Sequence, residues 1–106
     1  MNRIGITMGD PAGIGPEVIC KALLAMSAEE RAGVLVLGDP VFMKRAADLV
    51  GADFAFTPED EPLGRGDVPL RPIEAPNRDA IRPGELSPDA GEAGKRCVEL
   101  AVRLAL

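Results

Sequence analysis

The chain has 106 residues, 46% hydrophobic and 27% charged, which suits one globular domain and leaves no room for two domains with a cleft between them. Its only aromatics are three phenylalanines, its basic residues stand singly within a net charge of -5, and no apolar run approaches the roughly 20 residues of a membrane span, so neither nucleic acid nor a membrane is an expected partner. Histidine is absent, so neutral-pH proton transfer and zinc ligation would have to come from other groups.

Residues Ile4 to Met8 form a short apolar run ending at Gly9 and predict a first strand buried on both faces. The stretch "GDPAGIGPE", residues 9 to 17, then leads into a helix. Gly15 is expected as its N-cap and Pro16 as its first residue, with Glu17 at the positive end of the dipole. Val18, Ile19, Ala22, Leu23 and Met26 are the apolar face expected against a sheet. Cys20 and Cys97 sit in apolar helical patterns without paired spacing, which predicts buried free thiols rather than a disulfide or a metal pair.

Ser27 with Glu30 has capping-box spacing for a short turn of helix that Gly33 ends. Val34 to Leu37 predicts a second buried strand, and Asp39-Pro40 a second cap-and-proline helix start. Phe42, Ala46, Leu49 and Val50 would form the buried face of that helix, with Gly51 closing it. Asp39 also stands where a ribose-binding acid would stand in a dinucleotide fold, although the cap explains it more simply.

Ala52 to Phe56 predicts a third strand, weakened by Asp53, and residues 57 to 67 an acidic surface loop. Val68 to Ile73 predicts a further strand that Pro69 and Pro72 would confine to a sheet edge. Residues 74 to 90 are long and irregular for a compact domain, and contact with a part of the protein outside this sequence is the expected reason. Ser87-Pro88 opens a last helix with Ala93, Cys97, Leu100, Ala101 and Leu104 on one face. Its pattern is still running at Leu106, so a longer protein is expected.

A buried strand passing through glycines into a helix N-terminus is a geometry that approaches anions, and also one that merely turns a corner. "GDPAGIG" is neither G-x-G-x-x-G, since Val18 stands at the third glycine position, nor a P-loop, since Pro16, Glu17 and Val18 replace the Gly-Lys-Ser/Thr end. Asp10 would repel a phosphate, and the sequence leaves it as a turn residue or as a group facing a metal, a hydroxyl or a basic side chain.

"ITMGDPAGIGPEV", Ile6 to Val18, closely resembles the amino-terminal signature of the 4-hydroxythreonine-4-phosphate dehydrogenase family, including its phosphothreonate and phosphoerythronate dehydrogenase relatives. "RPGELSPDAGEAGKRCVELAVRLA", Arg82 to Ala105, is similar to a second stretch of that family and departs from it at Glu92, where a glycine or other small residue is usual. The resemblance implies an α/β chain that is part of a domain of an isocitrate/isopropylmalate dehydrogenase-like two-domain fold, with residues 1 to 106 as its amino-terminal portion. It implies a cytoplasmic homodimer of the pyridoxine biosynthesis type that oxidises a small phosphorylated four-carbon hydroxy acid with NAD or NADP, decarboxylating where the product allows.

A divalent metal such as Zn, Mg or Co would be held by histidines outside this chain. No catalytic, metal or cofactor-binding residue can be matched here, and Gly9, Asp10, Gly13 and Gly15 are the residues expected to line the cleft. The piece alone is expected to be inactive. "GIGPEV" is also similar to isocitrate and isopropylmalate dehydrogenases, which lack the equivalent of Pro11 and Ala12, and a fragment of that branch is one alternative. A noncatalytic α/β interaction module is the other.

Overall fold

The computed structural model describes residues 4–82, 84, 85 and 87–105. Pro83 and Leu86 of the second motif, and Leu106 at the end of the last helical pattern, lie outside the described residues. Strand β1 is Ile4–Thr7, followed by α1 at Gly15–Leu24, α2 at Ala28–Ala32, β2 at Val34–Gly38 and α3 at Pro40–Leu49. After these come β3 at Phe56–Pro58, β4 at Val68–Pro72, a 3-10 turn at Arg78–Ala80 and α4 at Pro88–Ala105.

The strands form one parallel sheet in the order β1-β2-β4-β3. Every residue of β2 is buried, as its unbroken apolar run predicts for an inner parallel strand. Strand β1 differs from expectation: it is an edge of the described sheet, and Ile4 and Gly5 are exposed.

Strand β4 is also corrected, since it lies between β2 and β3 rather than at an edge. Alternate residues of a parallel strand direct their N–H groups to opposite neighbours. Val68 donates to the Ala55 carbonyl on the β3 side and Ile73 to the Gly38 carbonyl on the β2 side. Pro69 therefore faces β2 just before the pairing that starts at Val36 with Leu70, and Pro72 faces β3 just after its pairing ends at Pro58 with Leu70. Each missing N–H falls where no ladder bond is required. Strand β3 begins only at Phe56, because Gly51 turns the chain at φ +71° and Ala52 donates back to the Ala47 carbonyl. Phe54 then packs from the connecting segment, edge-on to Phe56 and beneath the Arg31 guanidinium.

Helix α1 starts one residue earlier than expected, with Ile14 as its N-cap and Gly15 inside it. Its buried stripe is Pro16, Cys20 and Leu23, while Val18 and Ala22 are exposed. Apolar residues run almost around this helix, so periodicity alone did not fix which stripe meets the sheet. The capping box of α2 forms as predicted: Glu30 N–H donates to Ser27 Oγ at 3.1 Å and Ser27 N–H to Glu30 Oε1 at 2.8 Å. In α3 the buried residues are Phe42, Met43, Ala46 and Ala47, and Leu49 is 69% exposed at the rim of a shallow groove beside Pro16 and Glu17. In α4 Ala90, Ala93 and Cys97 are buried, whereas Leu104 is exposed.

Met8 joins the layers. It is buried and donates to the Leu37 carbonyl at 2.9 Å. A Cβ on Gly38 would stand 2.6 Å from Met8 Cβ, and one on Gly15 would stand 2.8 Å from the Met8 carbonyl oxygen. Cys20 and Cys97 are free and buried, as expected. Burial, aided by the Glu17 charge, pushes the Cys20 thiol up to about 11, and burial also raises Cys97. Both remain protonated, inert core groups at neutral pH.

Two substitutions separate this packing from the pattern read in the sequence. Leu49→Lys is expected to change unfolding free energy by no more than about 0.5 kcal/mol, as at other exposed positions. Gly38→Ala, which drives a methyl into Met8, is expected to destabilise by about 1–3 kcal/mol. Urea unfolding followed by circular dichroism checks both, and a large loss for Leu49→Lys would contradict the placement of α3.

Candidate functional site

In open parallel α/β sheets, ligands approach the carboxyl ends of the strands, where the connecting loops leave backbone groups uncommitted. Here that end carries residues 9 to 14 after β1, Asp39 after β2, and residues 73 to 82 with Gly84 and Glu85 after β4.

The predicted cleft residues divide by physical cause. Gly9 has φ +74°, in the left-handed region that favours glycine. Asp10 accepts from the Ala12 N–H at 2.8 Å through Oδ1, and its carbonyl accepts from the Gly13 N–H at 3.0 Å. This is the side-chain-capped turn that Asp before proline favours. Pro11 and Ala12 are buried beneath the turn, while Gly13 and Ile14 face solvent, Ile14 at 76% exposure. Gly15 is required by its approach to the Met8 carbonyl. Gly13 has neither a positive φ nor a hard clash, since its Cβ would lie 3.4 Å from the Asp10 carbonyl oxygen. Of the four, Gly13 is the one the fold demands least.

Asp39 is fully buried and organises the neighbouring loops. Its Oδ1 accepts from the Val41 N–H at 2.9 Å, which caps α3 as the sequence predicts. Its Oδ2 accepts from the Ala75 N–H at 2.8 Å and from Arg78 Nε at 2.9 Å. The hydrogen bond to Asp39, with the charge of that carboxylate, raises the Arg78 guanidinium above its ordinary value. Both carboxylate oxygens are committed inside the protein, so Asp39 does not fit the ribose-binding role weighed from its position.

These bonds also hold the described part of residues 74 to 90 from within the chain. Ala75 and Ile81 are buried, Asn77 takes φ +48° before the 3-10 turn, and the Gly84 N–H donates to the Ala12 carbonyl at 2.6 Å. The segment after β4 is thereby laced to the glycine-rich loop after β1. At the end of β3, the carboxylate of Glu59 pairs with the guanidinium of Arg71.

Sequence reasoning missed Gly94. A Cβ there would lie 3.1 Å from the Gly9 carbonyl carbon and 3.2 Å from the Asp10 nitrogen, so α4 presses its backbone onto the turn. The available signal was a glycine inside a long helical pattern, which is disfavoured by about 1 kcal/mol relative to alanine and so marks a close approach. Gly91, one turn earlier, would place its Cβ in open space. The partnership of Arg78 with Asp39 was also missed, because 39 positions separate the two and no local pattern joins them.

Arg78→Gln leaves a buried carboxylate without its cationic partner. It is expected to lower stability by about 1–3 kcal/mol, read as a shift in urea midpoint with unchanged slope, and to speed protease cleavage within residues 74 to 85. The two glycines of α4 are expected to respond with opposite signs: Gly91→Ala should raise thermal stability by up to about 1 kcal/mol from helix propensity, and Gly94→Ala should lower it. Calorimetry on the pair decides this, and a stabilising Gly94→Ala would refute the contact with the turn.

No protein-family model matches the chain. It is 36% identical over 107 residues to the 4-hydroxythreonine-4-phosphate dehydrogenase of Desulfosudis oleivorans, covering 97% of this chain and 31% of that one. It is 37% identical over 109 residues to the D-threonate 4-phosphate dehydrogenase of Bordetella bronchiseptica, covering 96% and 30%. Its fold matches the crystal structure of a 4-hydroxythreonine-4-phosphate dehydrogenase from Burkholderia phymatum with a TM-score of 0.84 and 32% identity, over 99% of this chain and 33% of that one. The chain thus spans about a third of the length of the relatives it matches, and over nearly all of its own length it resembles the family that its two motifs indicate.

Proposed function

We propose, from this relation to the 4-hydroxythreonine-4-phosphate dehydrogenases, that the chain is the amino-terminal α/β portion of a longer dehydrogenase and forms one wall of its active-site cleft. The observation that carries the reading is that the fold matches a solved member over 99% of this chain, with the glycine-rich signature forming an ordered turn at the carboxyl end of β1. The reaction is oxidation of the secondary hydroxyl of a small phosphorylated four-carbon acid, with NAD or NADP as hydride acceptor and loss of carbon dioxide where a β-keto acid results. The enzyme works in the cytoplasm as a homodimer of two-domain subunits.

In this reading the chain's own residues shape and exclude rather than react. Gly9 and Gly15 hold the turn, Gly13 presents open backbone, and Asp10 offers its carboxylate at the cleft edge. A divalent metal does not fit the residues present: histidine is absent, both cysteines are buried, and among the described residues no three His, Cys, Asp or Glu side chains converge. The metal ligands and the phosphate-binding cations are assigned to the part of the dehydrogenase that the relatives carry outside the matched third.

The test is a chimera in which these residues replace the matched third of the Burkholderia phymatum relative. NADH or NADPH formation is expected with 4-phosphohydroxythreonine or D-threonate 4-phosphate, and none from the present chain alone. A folded chimera inert towards both substrates would sink the assignment, and turnover by this chain alone would sink the single-wall reading. Asp10→Asn keeps a turn-capping oxygen and removes the charge, so in the chimera it should lower turnover more than melting temperature; unchanged turnover would return Asp10 to a purely local role.

A further inference from the structure

A guanidinium donates hydrogen bonds from every edge of a planar fork, and the fold uses only part of the fork of Arg78. Its Nε donates to Asp39 Oδ2 at 2.9 Å, while Nη2 lies 4.0 Å from Glu74 Oε1, beyond hydrogen-bond reach. Among the described residues the Nη groups of Arg78 make no hydrogen bond. The side chain is nevertheless only 29% exposed, and the carboxylate that grips it is fully buried. The head of Arg78 is thus held through Nε, and its Nη edge stays uncommitted.

Its place in the fold gives that edge a use. Asp39 directly follows β2 and the 3-10 turn that begins at Arg78 follows β4, so the pair stands at the carboxyl end of the two inner strands, where open parallel sheets receive ligands. Because Asp39 already balances its charge, the guanidinium stays partly buried without a ligand, oriented before one arrives. The other carboxylates that act on it, Glu74 and Asp79, are exposed and screened by water. A pair of parallel N–H groups matches the two oxygens of a carboxylate. A phosphate dianion would be repelled more strongly by Asp39, Glu74 and Asp79 than a carboxylate with a single charge.

We propose that the Nη edge of Arg78 binds the carboxylate of the phosphorylated hydroxy acid, with Asp39 as the residue that positions it. The assignment rests on the proposed function for the identity of that acid. It divides the two ends of the substrate between two parts of the enzyme: the carboxylate goes to this chain, and the phosphate to the cations assigned outside the matched third. Arg78 is then a specificity residue, favouring the acid over the corresponding alcohol.

The experiment titrates the Burkholderia phymatum chimera by calorimetry with D-threonate 4-phosphate and with D-threitol 4-phosphate, in which a hydroxymethyl group replaces the carboxylate. The parent chimera is expected to bind the acid more tightly. Arg78→Lys keeps a cation for Asp39 and loses the fork, so it tests the Nη edge with the buried carboxylate still paired. It should weaken the acid about tenfold, the loss expected for charge-assisted hydrogen bonds, and leave the alcohol unchanged. Arg78→Gln should bring acid and alcohol to the same affinity. Arg82→Gln, which removes an exposed charge from the same segment, should alter neither. A parent that binds neither ligand or does not favour the acid, an equal effect of Arg78→Lys on both ligands, or the same selective loss from Arg82→Gln would each overturn the assignment. Selective loss in a chimera that forms no NADH or NADPH would leave the assignment standing and sink the activity reading; turnover of the acid with an unchanged KM in Arg78→Lys would do the reverse.

Discussion

The buried Asp39 carboxylate is the interaction on which the arrangement of the loops depends. A carboxylate out of water is unfavourable unless every lone pair finds a donor, and Asp39 takes its donors from three places: the first turn of α3, the backbone at Ala75, and Arg78. Those bonds fix where the chain goes after β4. They carry it back across the ends of the central strands to Gly84, whose N–H meets the Ala12 carbonyl in the loop after β1. One charged group at the end of an inner strand thus holds the polypeptide around the carboxyl edge of the sheet.

The second constraint is the absence of side chains. Gly15 and Gly38 both press on Met8, and Gly94 lets α4 press on the peptide between Gly9 and Asp10. Helices and strands of ordinary composition pack about 10 Å apart; here glycine brings backbone onto backbone around a single turn. The turn is therefore closely packed by the backbone of α4 on one side and by Met8 on the other. Its conformation is set by shape, through close approaches that only glycine permits.

What could be read from the sequence was what local chemistry decides. Asp39 before Pro40, Ser27 with Glu30, Ser87 before Pro88 and Gly51 after α3 set helix ends through bonds within a few residues, and each appears where its spacing places it. What could not be read was what depends on partners far along the chain. Val18 and Leu49 belong to apolar patterns that fit more than one stripe, and only packing against the sheet selects the buried one. The two prolines of β4 suggest an edge, yet their missing donors coincide with the ends of both neighbouring ladders, a register that no single strand reveals. At the site, Gly9 and Asp10 were legible because a turn is local, while Arg78 and Gly94 were not, because each acts on residues far away in sequence.

The same distinction bears on chemistry. The signature that ties this chain to dehydrogenases is made of glycine, proline and one carboxylate, and most of these have a conformational role in the fold, Gly9 through its φ, Gly15 through its approach to Met8 and Asp10 through the turn it caps. A motif so largely explained by shape is specific because few residue sets satisfy that shape. Gly13 stands apart: the turn does not require its φ or its lack of a side chain, and it lies exposed beside Ile14 at the mouth of the loop.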